Sequence, residues 1–190
     1  VALDKLGGNS FITGAIGASQ ISDGAIATTK LSDGAVTAAK LTGGVIVGFA
    51  TGVSTTEVSL GTSAGTWYDA FTITLTTKRA NSLLFVDAVI SVDRTGGNYP
   101  AIQTRIHAYK NGVSAGVIQT LQYNEYEGNN QEHHIGKAPI QGWHTSSGIG
   151  DVWTYYIQAA NQSGSTPSGT YGGYVNRYGN STGIAMEVNQ

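Results

Sequence analysis

From Gly44 onward, apolar positions recur every second residue. Phe71, Ile73 and Leu75 alternate with threonines, and Leu84, Val86, Ala88, Ile90 and Val92 alternate with Phe85, Asp87 and Ser91. Trp153, Tyr155 and Ile157 alternate with Thr154, Tyr156 and Gln158. A period of two is the signature of strands buried on one face. Ile102–Lys110 and Val113–Tyr123 flank Asn111-Gly112, the strongest short-range hairpin signal in the chain. The ending Ile184-Ala-Met-Glu-Val-Asn-Gln190 reads as a last strand buried through Ile184, Met186 and Val188. No stretch carries a helical stripe. Short strands joined by Gly, Asn and Ser turns predict an all-β fold, an antiparallel sandwich of jelly-roll type. An immunoglobulin-like sandwich is the second choice, because the chain lacks the cysteine pair that would favour it. Several strands are apolar on both faces, as in Leu83, Phe85 and Val89 opposite Leu84, Val86 and Ile90. One face is expected to pack the sandwich core and the other to pack sister subunits.

Before Gly44 the period is ten. Ile21-Ser-Asp-Gly-Ala-Ile-Ala-Thr-Thr-Lys30 is followed by Leu31-Ser-Asp-Gly-Ala-Val-Thr-Ala-Ala-Lys40, and Leu41-Thr-Gly-Gly44 starts a further copy. Phe11–Gln20 keeps the apolar first position, Gly14, Ala15 and Ile16, but has Thr13 for aspartate and Gln20 for lysine. Ordering ten residues costs on the order of 15 kcal/mol. The few aliphatic groups in each copy return roughly 1.5–3 kcal/mol apiece when buried, which falls short. The missing burial has to come from other copies of the segment, and ten residues are too few for a coil that returns on itself. Identical chains winding about a shared axis are therefore expected, with Asp23-Gly24 and Asp33-Gly34 bending each copy at a fixed place. A flexible linker is the competing reading, and the regular Ile, Val and Leu argue against it. The chain divides into a repetitive shaft or junction segment, 1–43, and a head domain, 44–190.

Composition narrows the function. The chain has 190 residues, is 12% charged with a formal net charge of −2, and has no cysteine. A neutral, polar surface gives no electrostatic case for nucleic acid. Neither a disulfide framework nor a cysteine nucleophile is possible. The longest apolar runs, Val45–Phe49 and Leu83–Val86, are too short to span a bilayer, so no membrane insertion is expected. The chain begins at Val1 without a signal-peptide pattern, which reads as a fragment or a processed product.

The repeats of form Ile/Leu-Ser-Asp-Gly-Ala-Ile/Val-x-x-x-Lys-Leu at 21–41 resemble the shaft repeats of bacteriophage tail fibres, particularly those of phages infecting cyanobacteria and marine bacteria. The head is similar in layout to the C-terminal domains that follow such shafts. The resemblance implies a homotrimer on the virion, outside the host cell. It further implies partners among other phage tail or virion proteins, and a β-head that binds a host-surface glycan or protein receptor. A capsid decoration, head fibre or fibre junction without a receptor is the alternative.

Three constellations compete for chemistry. Gly61-Thr-Ser-Ala-Gly65 matches the serine-hydrolase elbow, and Asp87 and His107 keep a triad order, but a threonine-rich strand follows where a helix is needed. Glu125, Glu127, Glu132, His133 and His134 offer metal ligands, although adjacent histidines on a strand point to opposite faces. Widely spaced carboxylates leave a glycosidase conceivable at the fibre tip. The sequence assigns no catalytic residue, metal or cofactor, and no enzyme activity. Asn161-Gln-Ser163 and Asn180-Ser-Thr182 fit glycosylation acceptors. Aromatic rings among amides are the stronger signal, since flat rings pack on sugar faces while neighbours bond hydroxyls. The candidate receptor-binding residues are Tyr123, Tyr126, Asn129, Asn130, Trp143, His144, Tyr171, Tyr174, Arg177 and Tyr178.

Overall fold

A computed structural model of the chain describes residues 45–61, 63–94, 102–123, 134–162 and 173–189. The decapeptide repeats, expected to form a shaft, lie outside them. The described residues form strands and turns without a helix. The strands are β1 (Val45–Ser54), β2 (Val58–Ser59), β3 (Tyr68–Thr76), β4 (Leu83–Arg94) and β5 (Ile102–Lys110). They continue as β6 (Val113–Tyr123), β7 (His134–Thr145), β8 (Val152–Asn161), β9 (Gly173–Val175) and β10 (Ser181–Asn189).

Two antiparallel sheets face each other. The β1 sheet runs β1-β10-β4-β7, with the short β9 and β2 extending it beside the far end of β4. The β3 sheet runs β3-β8-β5-β6. Strands distant in sequence pair while their neighbours cross to the other sheet, which is the order of a jelly roll. The β5–β6 hairpin turns at Asn111 and Gly112, with φ of +50° and +81°, the left-handed pair that a two-residue loop requires.

Alternation builds the core. Leu84, Val86, Ala88, Ile90 and Val92 of β4 face Ile73 and Leu75 of β3, Tyr155 and Ile157 of β8, and Ile102 and Ile106 of β5. At one edge the sheets pinch together across Gly52 and Gly183, which are paired on β1 and β10. A methyl group on Gly52 would lie 2.6 Å from the Thr72 carbonyl oxygen.

The last strand corrects the sequence reading. Ala185 and Glu187 are the buried residues of β10, whereas Ile184, Met186 and Val188 point outward and are only half-buried. The interior here needs small groups beside the pinch, together with one acceptor for the β3–β4 turn. Glu187 supplies that acceptor, taking hydrogen bonds from the main-chain N–H groups of Lys78 and Arg79 and from the Ser82 hydroxyl, all within 2.8 Å.

The outer faces of the two sheets differ. On the β3 sheet the row Asp69, Gln158, Arg105 is knit side chain to side chain. Arg105 Nε donates to Gln158 Oε1 at 2.6 Å, and Gln158 Nε2 donates to Asp69 Oδ1 at 2.6 Å. Trp67 stacks on the Arg105 guanidinium at 4.2 Å. The outer face of the β1 sheet is apolar instead, with Phe49, Met186, Phe85 and Trp143 in register across all four strands.

Candidate functional site

Trp143 stands on β7 with 64% of its surface exposed, which is rare for so large an apolar group. Its neighbours explain how it is held. Ala138 and Ile140 are inward and buried, so Pro139, Gln141 and Trp143 fall on the outward side of the strand. Gly142 lets β6 approach closely, because a methyl there would meet Ile118 Cγ2 at 2.9 Å. Where the edge strands β6 and β7 meet, two adjoining depressions open. One, of about 440 Å³, is lined by Gln119, Leu121, Pro139, Ile140, Gln141 and Trp143. The other, of about 270 Å³, is lined by Ile118, Gln119, Gln141, Gly142 and Trp143.

Among the described residues the groove's lining carries no charge, carboxylate, imidazole or hydroxyl. It offers an indole face, aliphatic walls and two carboxamides, each able to donate and to accept. Such a surface is chemically suited to pack against an apolar face and to exchange hydrogen bonds with hydroxyls.

His144 turns the other way, which corrects its expected role at the receptor surface. Strand alternation sends it inward, against the Trp153 ring at 4.3 Å and the Tyr155 ring at 5.8 Å. Its Nδ1 donates to the Thr145 carbonyl, so Nε2 of the neutral ring accepts the 3.1 Å bond from the Tyr155 hydroxyl. Burial pushes the His144 imidazole below its ordinary range, and burial first and Glu187 second push the Tyr155 phenol up.

Tyr174, Arg177 and Tyr178 do come together, but away from Trp143. The Arg177 guanidinium lies 4.4 Å from the Tyr174 ring centre and 5.5 Å from that of Tyr178. It also reaches the buried Asp93 at 3.7 Å and Glu57 at 3.9 Å. Trp143 pairs with Phe85 and Tyr174 with Asp93, eight residues further along β4. That separates them by roughly 26 Å. The Arg177 cluster anchors the β9–β10 turn. Tyr126, Asn129, Asn130, Tyr171, Glu125, Glu127, Glu132, His133 and the side chains of Tyr123 and His134 lie outside the described residues.

The serine-hydrolase constellation is not assembled. Asp87 is outward on the β1 sheet and His107 outward on the β3 sheet, so the sandwich separates them. His107 bonds Ser114 at 2.8 Å, and Ser63 sits in an exposed turn before β3. Asn161, read as a glycosylation acceptor, is buried, and its amide donates to the carbonyls of Leu60 and Gly61.

The sequence reading missed Gln119, Leu121, Pro139 and Gln141. The signal was present in β7, where buried Ala138 and Ile140 fix the parity that turns 139, 141 and 143 outward. What the sequence could not supply was that β6, from the other sheet, forms the opposite wall.

No protein-family model matches the chain, and no curated protein matches it. Solved structures similar to it include the C-terminal domain of EclA, a sugar-binding protein, at 14% identity over 69% of this chain and 78% of that one, with a TM-score of 0.34. Eiger TNF from S. frugiperda is similar at 8% identity over 75% and 93%, TM-score 0.42. The CBM22-1 xylan-binding domain of Paenibacillus barcinonensis Xyn10C is similar at 12% identity over 79% and 99%, TM-score 0.29.

Proposed function

We propose that this chain is part of a phage tail fibre, a homotrimeric, non-enzymatic adhesin on the virion whose β-sandwich head holds a host-surface glycan in the groove at Trp143. The observation that carries the reading is the exposed indole of Trp143 between Gln119 and Gln141 in a groove whose described lining is uncharged. A pyranose ring lays its C–H face on the indole while the two carboxamides exchange hydrogen bonds with its hydroxyls. Each contact is weak. Three copies on one fibre raise the attachment through effective concentration, so a modest single-site affinity suffices. The decapeptide repeats support the fibre part of the reading, because they need sister chains to bury their aliphatic groups.

Glycan-array binding by the full chain, followed by titration of the best ligand, tests it. Trp143→Ala is expected to weaken binding by about 30-fold, the loss typical of an aromatic anchor. Tyr174→Ala is expected to leave binding unchanged. Retention of no glycan, or equal binding by parent and Trp143→Ala, overturns the proposal.

A further inference from the structure

The strand β10 directs its largest apolar side chains away from its own core and places the carboxylate of Glu187 inside. That inversion is costly for a lone molecule, and β1 repeats it: Ile46, Phe49 and Val53 are 56%, 59% and 66% exposed. Strand pairing arranges these groups in rows. Phe49 lies beside Met186, and Met186 beside Phe85. Val53 lies beside Thr182, and Thr182 beside Val89. Across β1, β10 and residues 83–89 of β4, the only outward charge is Asp87. It borders a socket of about 360 Å³ walled by Thr51, Val53, Val89, Thr182 and Ile184. Isolated soluble molecules rarely expose a continuous apolar sheet, whereas the centres of homo-oligomeric interfaces are apolar and poor in charge.

We propose that this face is covered by sister copies of the same chain, with β1, β10 and β4 at the contact and Trp143 left at its rim. The connectivity of the chain selects the occupant. The 44 residues that precede Val45 join the sandwich there, at the first residue of β1, which carries Ile46, Phe49 and Val53. The decapeptides in that segment need sister copies, so chains gathered there are tethered directly to the strand that borders the face, at high effective concentration. A near-uncharged face also suits a copy of itself, since no complementary charge has to be supplied. This inference rests on the multi-chain reading of the repeats and adds which surface the copies share.

The chain has no cysteine, which allows a clean test. Phe49→Cys and Val53→Cys, made separately in the full chain, are compared with Thr74→Cys on the outer face of the β3 sheet. Their rates of maleimide labelling are measured beside the mass by light scattering. The expected mass is a multiple of the 19.7 kDa chain. In that oligomer the Phe49→Cys and Val53→Cys variants are expected to label on the order of tenfold more slowly than Thr74→Cys, because sister copies keep the reagent from both positions. Adding Phe85→Lys to Val53→Cys restores fast labelling. An oligomer with fast labelling at both positions overturns the inference, because copies then meet elsewhere. A monomer overturns it as well, whether labelling is slow because the preceding segment of the same chain covers the face or fast because nothing does. Glycan binding is a separate readout: its absence together with slow labelling sinks the groove reading and leaves this one standing.

Discussion

The Oε1 atom of Glu187 on β10 accepts a 2.8 Å hydrogen bond from the main-chain N–H of Arg79, tying the last strand to the β3–β4 turn 108 residues earlier. Both carboxylate oxygens are used, Oε2 by Lys78 N and Oε1 by Arg79 N and the Ser82 hydroxyl. Glu187→Ala leaves these donors without their acceptor in the interior and is expected to cost about 3–5 kcal/mol. Glu187→Gln does not restore the parent, because its NH₂ must face an N–H donor or the Ser82 cluster. Urea unfolding of both variants checks this; a loss below about 1 kcal/mol for Glu187→Ala contradicts it.

The glycine pair at the pinched edge is expected to be graded. A methyl on Gly52 meets the Thr72 carbonyl oxygen at 2.6 Å, main chain that cannot swing aside, while one on Gly183 meets Ala88 Cβ and the Asp87 carbonyl at 3.0 Å. Gly52→Ala therefore loses about 2–3 kcal/mol and Gly183→Ala about 1 kcal/mol by thermal unfolding. The reverse order would show that the sheets yield where the packing says they do not.

Gly142→Ala separates stability from binding. Its methyl would press on Ile118 Cγ2 at 2.9 Å and push β6 away from β7, moving Gln119 relative to Trp143. Ligand affinity is expected to fall about tenfold, with a stability loss near 1 kcal/mol. Unchanged affinity would mean that the spacing of the two walls does not matter to the ligand.

Acid is expected to destabilise the sandwich through histidine. His144 is pushed below its ordinary value of 6.5 by burial, opposed by the bond to Thr145. His107 is pushed the same way by burial first and Arg105 second, with Asp69 opposing. The unfolded chain thus binds protons that the folded chain refuses. The contribution is fully present above about pH 6.5 and is lost as pH falls through the folded values. His144→Gln is expected to flatten the fall of melting temperature between about pH 7 and pH 5. A slope identical to the parent contradicts the assignment.

Much of the fold was legible because it is local. The alternation in β3, β4 and β8 fixed which side chains are buried, and Asn111-Gly112 located the hairpin to the residue. In β10 the same reasoning chose the wrong face. Hydrophobic parity says only that Ile184, Met186 and Val188 share a side, and the inside was decided by Gly52, Gly183 and the turn that Glu187 caps. The site divided in the same way. Trp143 was visible as an aromatic among polar residues, but His144 beside it needed the parity of β7, and Gln119 needed the nonlocal approach of β6. Tyr174, Arg177 and Tyr178 suggested a polar loop, whereas the buried Asp93 beneath Arg177 made them a structural anchor.

Gly142, Trp143 and His144 alternate between the two sides of β7, so a single inserted or deleted residue there would swap ring and imidazole, burying one and stranding the other. Evolution of this edge is thereby confined to exchanges at fixed length. Under the proposed function, new ligand preferences arise by rewriting positions 119, 141 and 143 one at a time, while the inward letters between them keep the same spelling.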